Sequence, residues 1–257
     1  MGSEFTWQAA ETLALSHMLS LGFDDAALTG SGADGGIDVV SSDAIAQVKF
    51  YSSPIGIAEV QRLRGTAVLH AQVLFYSNSG YTTSAKKFAL DSGVALFTYS
   101  TDLEVTPANS HAQQLTTRIV RALQGCVDRG IAQQNQATRL MAQMRAAMTF
   151  ALKQVETPGE AGIAWSAWAK TPVLVETLSE IQAITTEMER LGADARSINE
   201  LIEQGQQPRL AWGLGFEANL TGLRERAEKV SNRLYDSMPI GRREITRQLR
   251  TSATRSK

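Results

Sequence analysis

Apolar positions along the chain change period once, near Pro107. Over residues 6–22, Trp7, Ala10, Ala14, Met18 and Leu21 recur three or four apart. That spacing predicts an amphipathic helix, with Gly22 placed to end it. The pattern then shortens. Residues 37–40, 44–50, 71–76 and 94–99 are short apolar runs bounded by Gly, Ser, Asp or Asn, which predicts strands. Between them, residues 57–69 and 83–92 are of helical length, the second with Thr82 or Thr83 as its cap. Residues 26–28 leave room for one more short strand. The order α-β-β-α-β-α-β predicts a mixed sheet covered on both faces.

Beyond Pro107 the strand signals stop. Residues 111–156 have almost no breakers and are rich in Gln, Ala, Arg and Met. Ala137, Met141, Met144, Met148, Ala151 and Val155 step by four and three, a seam for a partner helix. Thr157-Pro158-Gly159 ends it. Thr171-Pro172 reads as a helix start, cap then first turn. Leu174, Leu178, Ile181, Ile184, Met188 and Leu191 give a second stripe, prolonged by Ile198 and Leu201. After Gln206-Gln207-Pro208, a third runs through Leu220, Leu223, Ala227, Val230 and Leu234. Three long helices with short connections predict an antiparallel bundle or coiled coil.

Composition narrows the class. The 257 residues are 43% hydrophobic and 20% charged, with 20 Gly, 6 Pro and one Cys. Disorder, collagen and a disulfide scaffold are excluded, and no apolar run reaches the roughly 20 residues of a membrane span. The lone Cys126 points to a reducing interior, the cytoplasm, and away from a cysteine metal site. Residues 1–5 read equally as a cloning scar or a natural start. The net charge of −1 is an average. Residues 1–106 carry 5 Lys/Arg against 11 Asp/Glu, while residues 107–257 carry 20 against 15. The last twenty residues hold five Arg, one Lys and a single Glu, a basic tail over 237–257.

The candidate chemistry lies between Gly30 and Lys49. Asp38 starts one apolar strand, and Gln47 and Lys49 share a face of the next, because strand side chains alternate. A polar pair at that spacing contradicts the apolar run around it, and departures of this kind concentrate at functional sites. A metal-assisted phosphodiester hydrolase fits. Asp38 would ligate a divalent cation, with the Gln47 oxygen and the Val48 backbone carbonyl as further hard donors, and Lys49 would sit at the scissile phosphate. Glu11, one residue off the first helical stripe, is the candidate second carboxylate. On spacing alone, Glu11 reads first as an exposed helix residue, and the other three read equally as a surface hairpin with a salt bridge.

The run Gly-Ala-Asp34-Gly-Gly-Ile-Asp38 followed by Gln47-Val-Lys49 resembles the signature of Mrr-like restriction endonucleases. They are a branch of the PD-(D/E)XK superfamily in which Gln commonly replaces the last acidic residue. Glu11 ahead of Leu21-Gly22-Phe23, Val60-Gln61 with Gly65-Thr66-Ala67, and Tyr76-Ser77-Asn78 through Ala85 extend the resemblance over about residues 6–105. It implies a Mg2+-dependent DNA endonuclease, with Mn2+ as a substitute metal, and carries over Asp38, Gln47 and Lys49, with Glu11 as additional acid. Asp34 matches the family's first acidic position or shapes the Gly-rich turn. Gln61 matches a position facing the site or is a surface residue.

The expected architecture is a restriction-endonuclease-like mixed sheet flanked by helices over residues 6–109, then an all-α bundle or coiled coil over 110–236. The expected activity is cleavage of phage or plasmid DNA in prokaryotic defence, by a homodimer joined through the helical half or with a partner protein. An idle PD-(D/E)XK-fold scaffold or nucleic-acid-binding subunit is the alternative. Arg242, Arg243, Arg247 and Arg250 are weak DNA-contact candidates. Trp165 and Trp168 read as a plug between helices rather than a stacking platform. His17, His70 and His111 read as packing or surface residues, and no aromatic cage for a flipped base is visible.

Overall fold

The structure is a computed structural model and describes residues 5–30, 36–67, 70–204 and 208–255. The element order is α1 (Trp7–Ser20), β1 (Ala27–Leu28), β2 (Val39–Val40), β3 (Ala44–Lys49), α2 (Ile57–Thr66), β4 (Gln72–Ser77), α3 (Thr83–Ser92), β5 (Val94–Tyr99) and β6 (Val105–Pro107). Five helices follow: α4 (Ser110–Val155), α5 (Glu160–Ala169), α6 (Val173–Glu203), α7 (Leu210–Ser237) and α8 (Arg242–Arg255). By internal contacts one unit holds Met1–Gln124 with Glu200–Gly213, and the other Gly125–Asn199 with Leu214–Lys257. No helix among the described residues is long and apolar enough to cross a membrane.

In the first unit the six strands lie in sequence order. β1, β2 and β3 pair antiparallel, β3, β4 and β5 parallel, and β6 returns antiparallel on β5. The parallel centre forces crossovers, which α2 and α3 supply. Alternation divides the core into two layers. Ile45, Val73, Phe75 and Leu96 pack with Val60 and Leu63 of α2 and Ala85 and Ala89 of α3. Ala44, Ala46, Val48, Leu74, Tyr76 and Phe97 pack with Ala10, Ala14 and Met18 of α1 and with Ala112, Leu115, Ile119 and Leu123 of α4. Strands covered on both faces read as continuous apolar runs, which is why they were visible in the sequence.

Local signals explain the element ends. The Thr6 hydroxyl accepts from Ala9 N–H at 3.3 Å to open α1. At its far end Phe23 N–H reaches Met18 O and Gly22 N–H reaches Leu19 O, with Gly22 at φ +85°. This is a Schellman stop, and its left-handed residue suits glycine. Thr82, rather than Thr83, caps α3.

In the second unit Met141, Met144, Met148 and Ala151 of α4 are buried, as are Leu220, Leu223, Ala227, Val230 and Leu234 of α7. Arg226 pairs with Glu180 and Arg233 with Glu176, so α6 and α7 run antiparallel. Trp165 and Trp168 are buried edge to face, 5.7 Å apart, and the Trp168 indole N–H donates to Ser237 Oγ at 3.0 Å. They form the plug between helices.

Five expectations change. Residues 105–107 form an edge strand. Residues 160–169, between the first two long helices, form α5. The expected basic tail is largely helical, as α8. Leu178 is exposed, and Thr177 takes the buried position that leads to Ile181, Ile184, Met188 and Leu191. Thr171 does not cap α6, because its hydroxyl donates back to Trp168 O at 2.7 Å.

Candidate active site

The site forms where β2 leaves β3. The two strands pair at Val39 with Ala46 and Val40 with Ile45. Before Val39 the ladder distorts, and the Asp38 N–H donates to Ala46 O at 2.9 Å. The Val48 N–H is taken by the Asp38 carboxylate, Oδ2 accepting at 2.7 Å. That bond fixes the carboxylate beside β3. From the other side Thr29 holds the same segment, its N–H on Asp38 O at 3.0 Å and its hydroxyl on Ile37 O at 2.6 Å.

Ala44, Ala46 and Val48 face α1, so Gln47 and Lys49 lie on the opposite face with Ile45. Gln47 is 2% exposed, and its Oε1 is buried without a hydrogen-bond partner. An orphaned buried amide oxygen costs about 1–3 kcal/mol, so it calls for a ligand or a function. Gly36, at φ +83°, lies directly against the amide, and a Cβ there would collide with Gln47 Nε2. The glycine leaves room for the amide and adopts a conformation L side chains avoid.

Lys49 ends β3 half-buried, rather than enclosed in the apolar run. Its carbonyl accepts from the Tyr99 hydroxyl at 3.0 Å, and its Nζ lies 5.8 Å from the Tyr51 ring centre. Glu11 is half-buried on α1. Its carboxyl is held above the usual carboxylate range, first by burial and then by the charge of Asp38, with Lys49 opposing. Both charges therefore act on it.

Asp38 and Lys49 thus act on Glu11, and Gln47 directly precedes the Val48 N–H that holds Asp38. Among the described residues no cluster of three His, Cys, Asp or Glu side chains could hold a metal ion. Asp38, Glu11 and the unpartnered Gln47 oxygen are nonetheless a hard-oxygen set suited to Mg2+, and the Val48 carbonyl lies on the same strand. Asp34 lies outside the described residues. Gln61 is exposed on α2. The four tail arginines lie on α8 in the other unit. There Arg242 stacks on Tyr235 and donates to Asn232, and Arg247 pairs with Glu244.

Sequence reasoning did not single out Gly36, Thr29 or Tyr99 as parts of this site. Gly36 stood inside the Gly-rich run, but its contact with Gln47 depends on tertiary placement. His17 packs as expected, between Tyr76 and Phe97, with Nδ1 and the Tyr76 hydroxyl 2.9 Å apart. Burial lowers its pKa to about 3.

Residues 3–101 match the restriction endonuclease family Mrr_cat. No curated protein and no solved structure matches the chain. The matched stretch contains α1, the sheet through β5 and Glu11, Asp38, Gln47 and Lys49. Residues 3–101 therefore match a restriction endonuclease domain, consistent with the Mrr-like PD-(D/E)XK family.

Proposed function

We propose that this protein is a metal-dependent DNA endonuclease that hydrolyses phosphodiester bonds with Mg2+, or Mn2+ in its place, in cytoplasmic defence of a prokaryote against phage or plasmid DNA. The observation that carries the reading is the buried, unpartnered Gln47 oxygen beside an anchored Asp38 and one alternate position from Lys49. An idle scaffold has no use for an orphaned buried oxygen next to a cationic side chain.

Asp38, Gln47, Glu11 and the Val48 carbonyl would hold the cation. Bound there, Mg2+ supplies Lewis-acid polarisation of the phosphate and a more acidic water. The chain's own residues do the rest. Val48 N–H keeps the Asp38 carboxylate in place, so it needs little reorganisation on binding. Lys49 donates to a phosphate oxygen where charge accumulates and orients the attacking water. Glu11, raised in pKa by burial and by Asp38, gains most from added positive charge.

The nuclease region, residues 6–109, carries few cations. Recruitment of DNA falls to residues 110–236 or to a partner protein, with weak contacts from Arg242, Arg243, Arg247 and Arg250. A homodimer would carry one site per chain, and the helical half offers stripes to join it.

The test is incubation of plasmid and single-stranded circular DNA with Mg2+, using wild type, Asp38→Ala and Lys49→Ala. Wild type cuts and both variants lose cutting. Cleavage that survives both substitutions overturns the site, and no cleavage in any divalent metal favours the scaffold.

A further inference from the structure

Aromatic side chains stand exposed on both sides of Glu11, Asp38, Gln47 and Lys49. Trp7, one helical turn before Glu11, is 57% exposed. Phe50 and Tyr51, directly after Lys49, are 39% and 47% exposed. The Phe50 and Tyr51 rings are held in place. Phe5 packs on Phe50 at 5.6 Å and on Tyr99 at 6.1 Å, and Tyr99 donates to the Lys49 carbonyl. The Tyr51 N–H donates to Asn78 Oδ1 at 2.9 Å, and the Lys49 ammonium lies within cation–π range of the Tyr51 ring. Isolated exposed aromatics are ordinary. Here three share the border of one site.

Their spacing suits a nucleotide chain. Tyr51 lies two residues past Lys49, at most about 7 Å of chain, and Trp7 precedes Glu11 by about 6 Å along the helix. A base attached next to a phosphate at Lys49 falls within reach of the Tyr51 ring, and Trp7 follows by two residues the Phe5 that packs on Phe50. Bases inside a duplex are stacked on each other and offer no free face, whereas unpaired bases stack on aromatic side chains. The charge points the same way. Residues 1–106 hold five Lys/Arg against eleven acids. Of these cations Arg62 is paired with Glu59, and Arg64 donates to Ser92 O. Duplex binding draws its affinity chiefly from phosphate neutralisation. This domain has aromatic rings where such a binder has cations.

We propose that the nuclease domain takes its DNA unpaired at the scissile phosphate, with the flanking bases stacked on Trp7 and Tyr51 and Phe50 supporting them. The proposal rests on the nuclease reading and names the substrate form of the same site.

The test uses the full chain with Ca2+ replacing Mg2+, so that DNA is bound without being cut. Fluorescein-labelled thymidine 12-mer, an abasic 12-mer of equal charge, a 12-base-pair duplex and a uridine RNA 12-mer are titrated and followed by anisotropy. The thymidine strand binds more tightly than the duplex and the abasic strand. Trp7→Ala and Tyr51→Ala each weaken it by about tenfold. Trp7→Phe and Tyr51→Phe restore most of the loss, which separates stacking from any folding defect. Equal affinity for thymidine and abasic strands, tighter duplex binding, or full affinity in both alanine variants overturns the proposal. Tighter binding of the RNA overturns its assignment to DNA. Base-dependent binding by a wild type that cuts nothing in Mg2+ leaves the stacking surface standing and removes the nuclease reading instead.

Discussion

Gly36→Ala isolates the one backbone position that shapes the site. Two costs act there. The first is the left-handed conformation at φ +83°, about 1–2 kcal/mol for an L residue. The second is the collision of the new Cβ with the Gln47 amide, which is 2% exposed and has little room to retreat. Gly93 provides the matched control. It ends α3 at φ +75°, with nothing within 4 Å of an added Cβ. Gly93→Ala therefore meets the conformational cost alone. Both variants are unfolded in urea and assayed for cleavage. Gly93→Ala loses about 1–2 kcal/mol and keeps its activity. Gly36→Ala loses more and cuts at least about 100-fold more slowly, the expected effect of moving a reacting group by about 1 Å. A Gly36→Ala protein that matches Gly93→Ala in stability and wild type in cleavage refutes the role given to Gln47.

Other consequences follow from burial and charge. Burial and Asp38 hold the Glu11 carboxyl above its usual range, so its ionisation costs stability at neutral pH and the cost disappears as pH falls below the unfolded value. Glu11→Gln accordingly raises the thermal midpoint at pH 7 while weakening Mn2+ binding, and a lower midpoint refutes that account. His17 titrates at about 6.5 unfolded and about 3 folded. Its stability contribution is complete above pH 6.5 and is lost as pH falls toward 3, on the order of 5 kcal/mol in all. His17→Gln flattens the pH dependence of stability over that window, and an unchanged slope contradicts the assignment. Thr177 is fully buried with an unpartnered hydroxyl. Thr177→Val is neutral or stabilising by about 1 kcal/mol in urea unfolding, whereas a loss above 1 kcal/mol shows that the hydroxyl is satisfied.

The strands, and the shared face of Gln47 and Lys49, were legible because they depend on local alternation. Gln47 and Lys49 share a face at any register, and Asp38 at the head of the preceding strand is carried to them by the hairpin. Ala10 and Ala14 fix the buried stripe of α1, which leaves Glu11 at its margin. What was not legible depends on tertiary partners. β6 is three residues long and exists through its pairing with β5, and Pro107, which lacks an N–H, is tolerated at that edge. In α8 the arginines hide an apolar face reduced to buried Ile245 and half-buried Leu249. Leu178 was assigned inward because it is apolar, although the step of four and three places Thr177 there. The exposed ring at Trp7 looked like part of the helix stripe, and its position beside the site became visible only when α1 met β3.

The most direct test of the central claim separates cation binding from action on the phosphate. Mn2+ is titrated into wild type, Asp38→Asn and Lys49→Met and followed by electron paramagnetic resonance, with plasmid cleavage measured on the same samples. The account predicts that wild type binds the ion and cuts, that Lys49→Met binds it and does not cut, and that Asp38→Asn does neither. Unchanged Mn2+ binding in Asp38→Asn, or undiminished cutting by Lys49→Met, contradicts it.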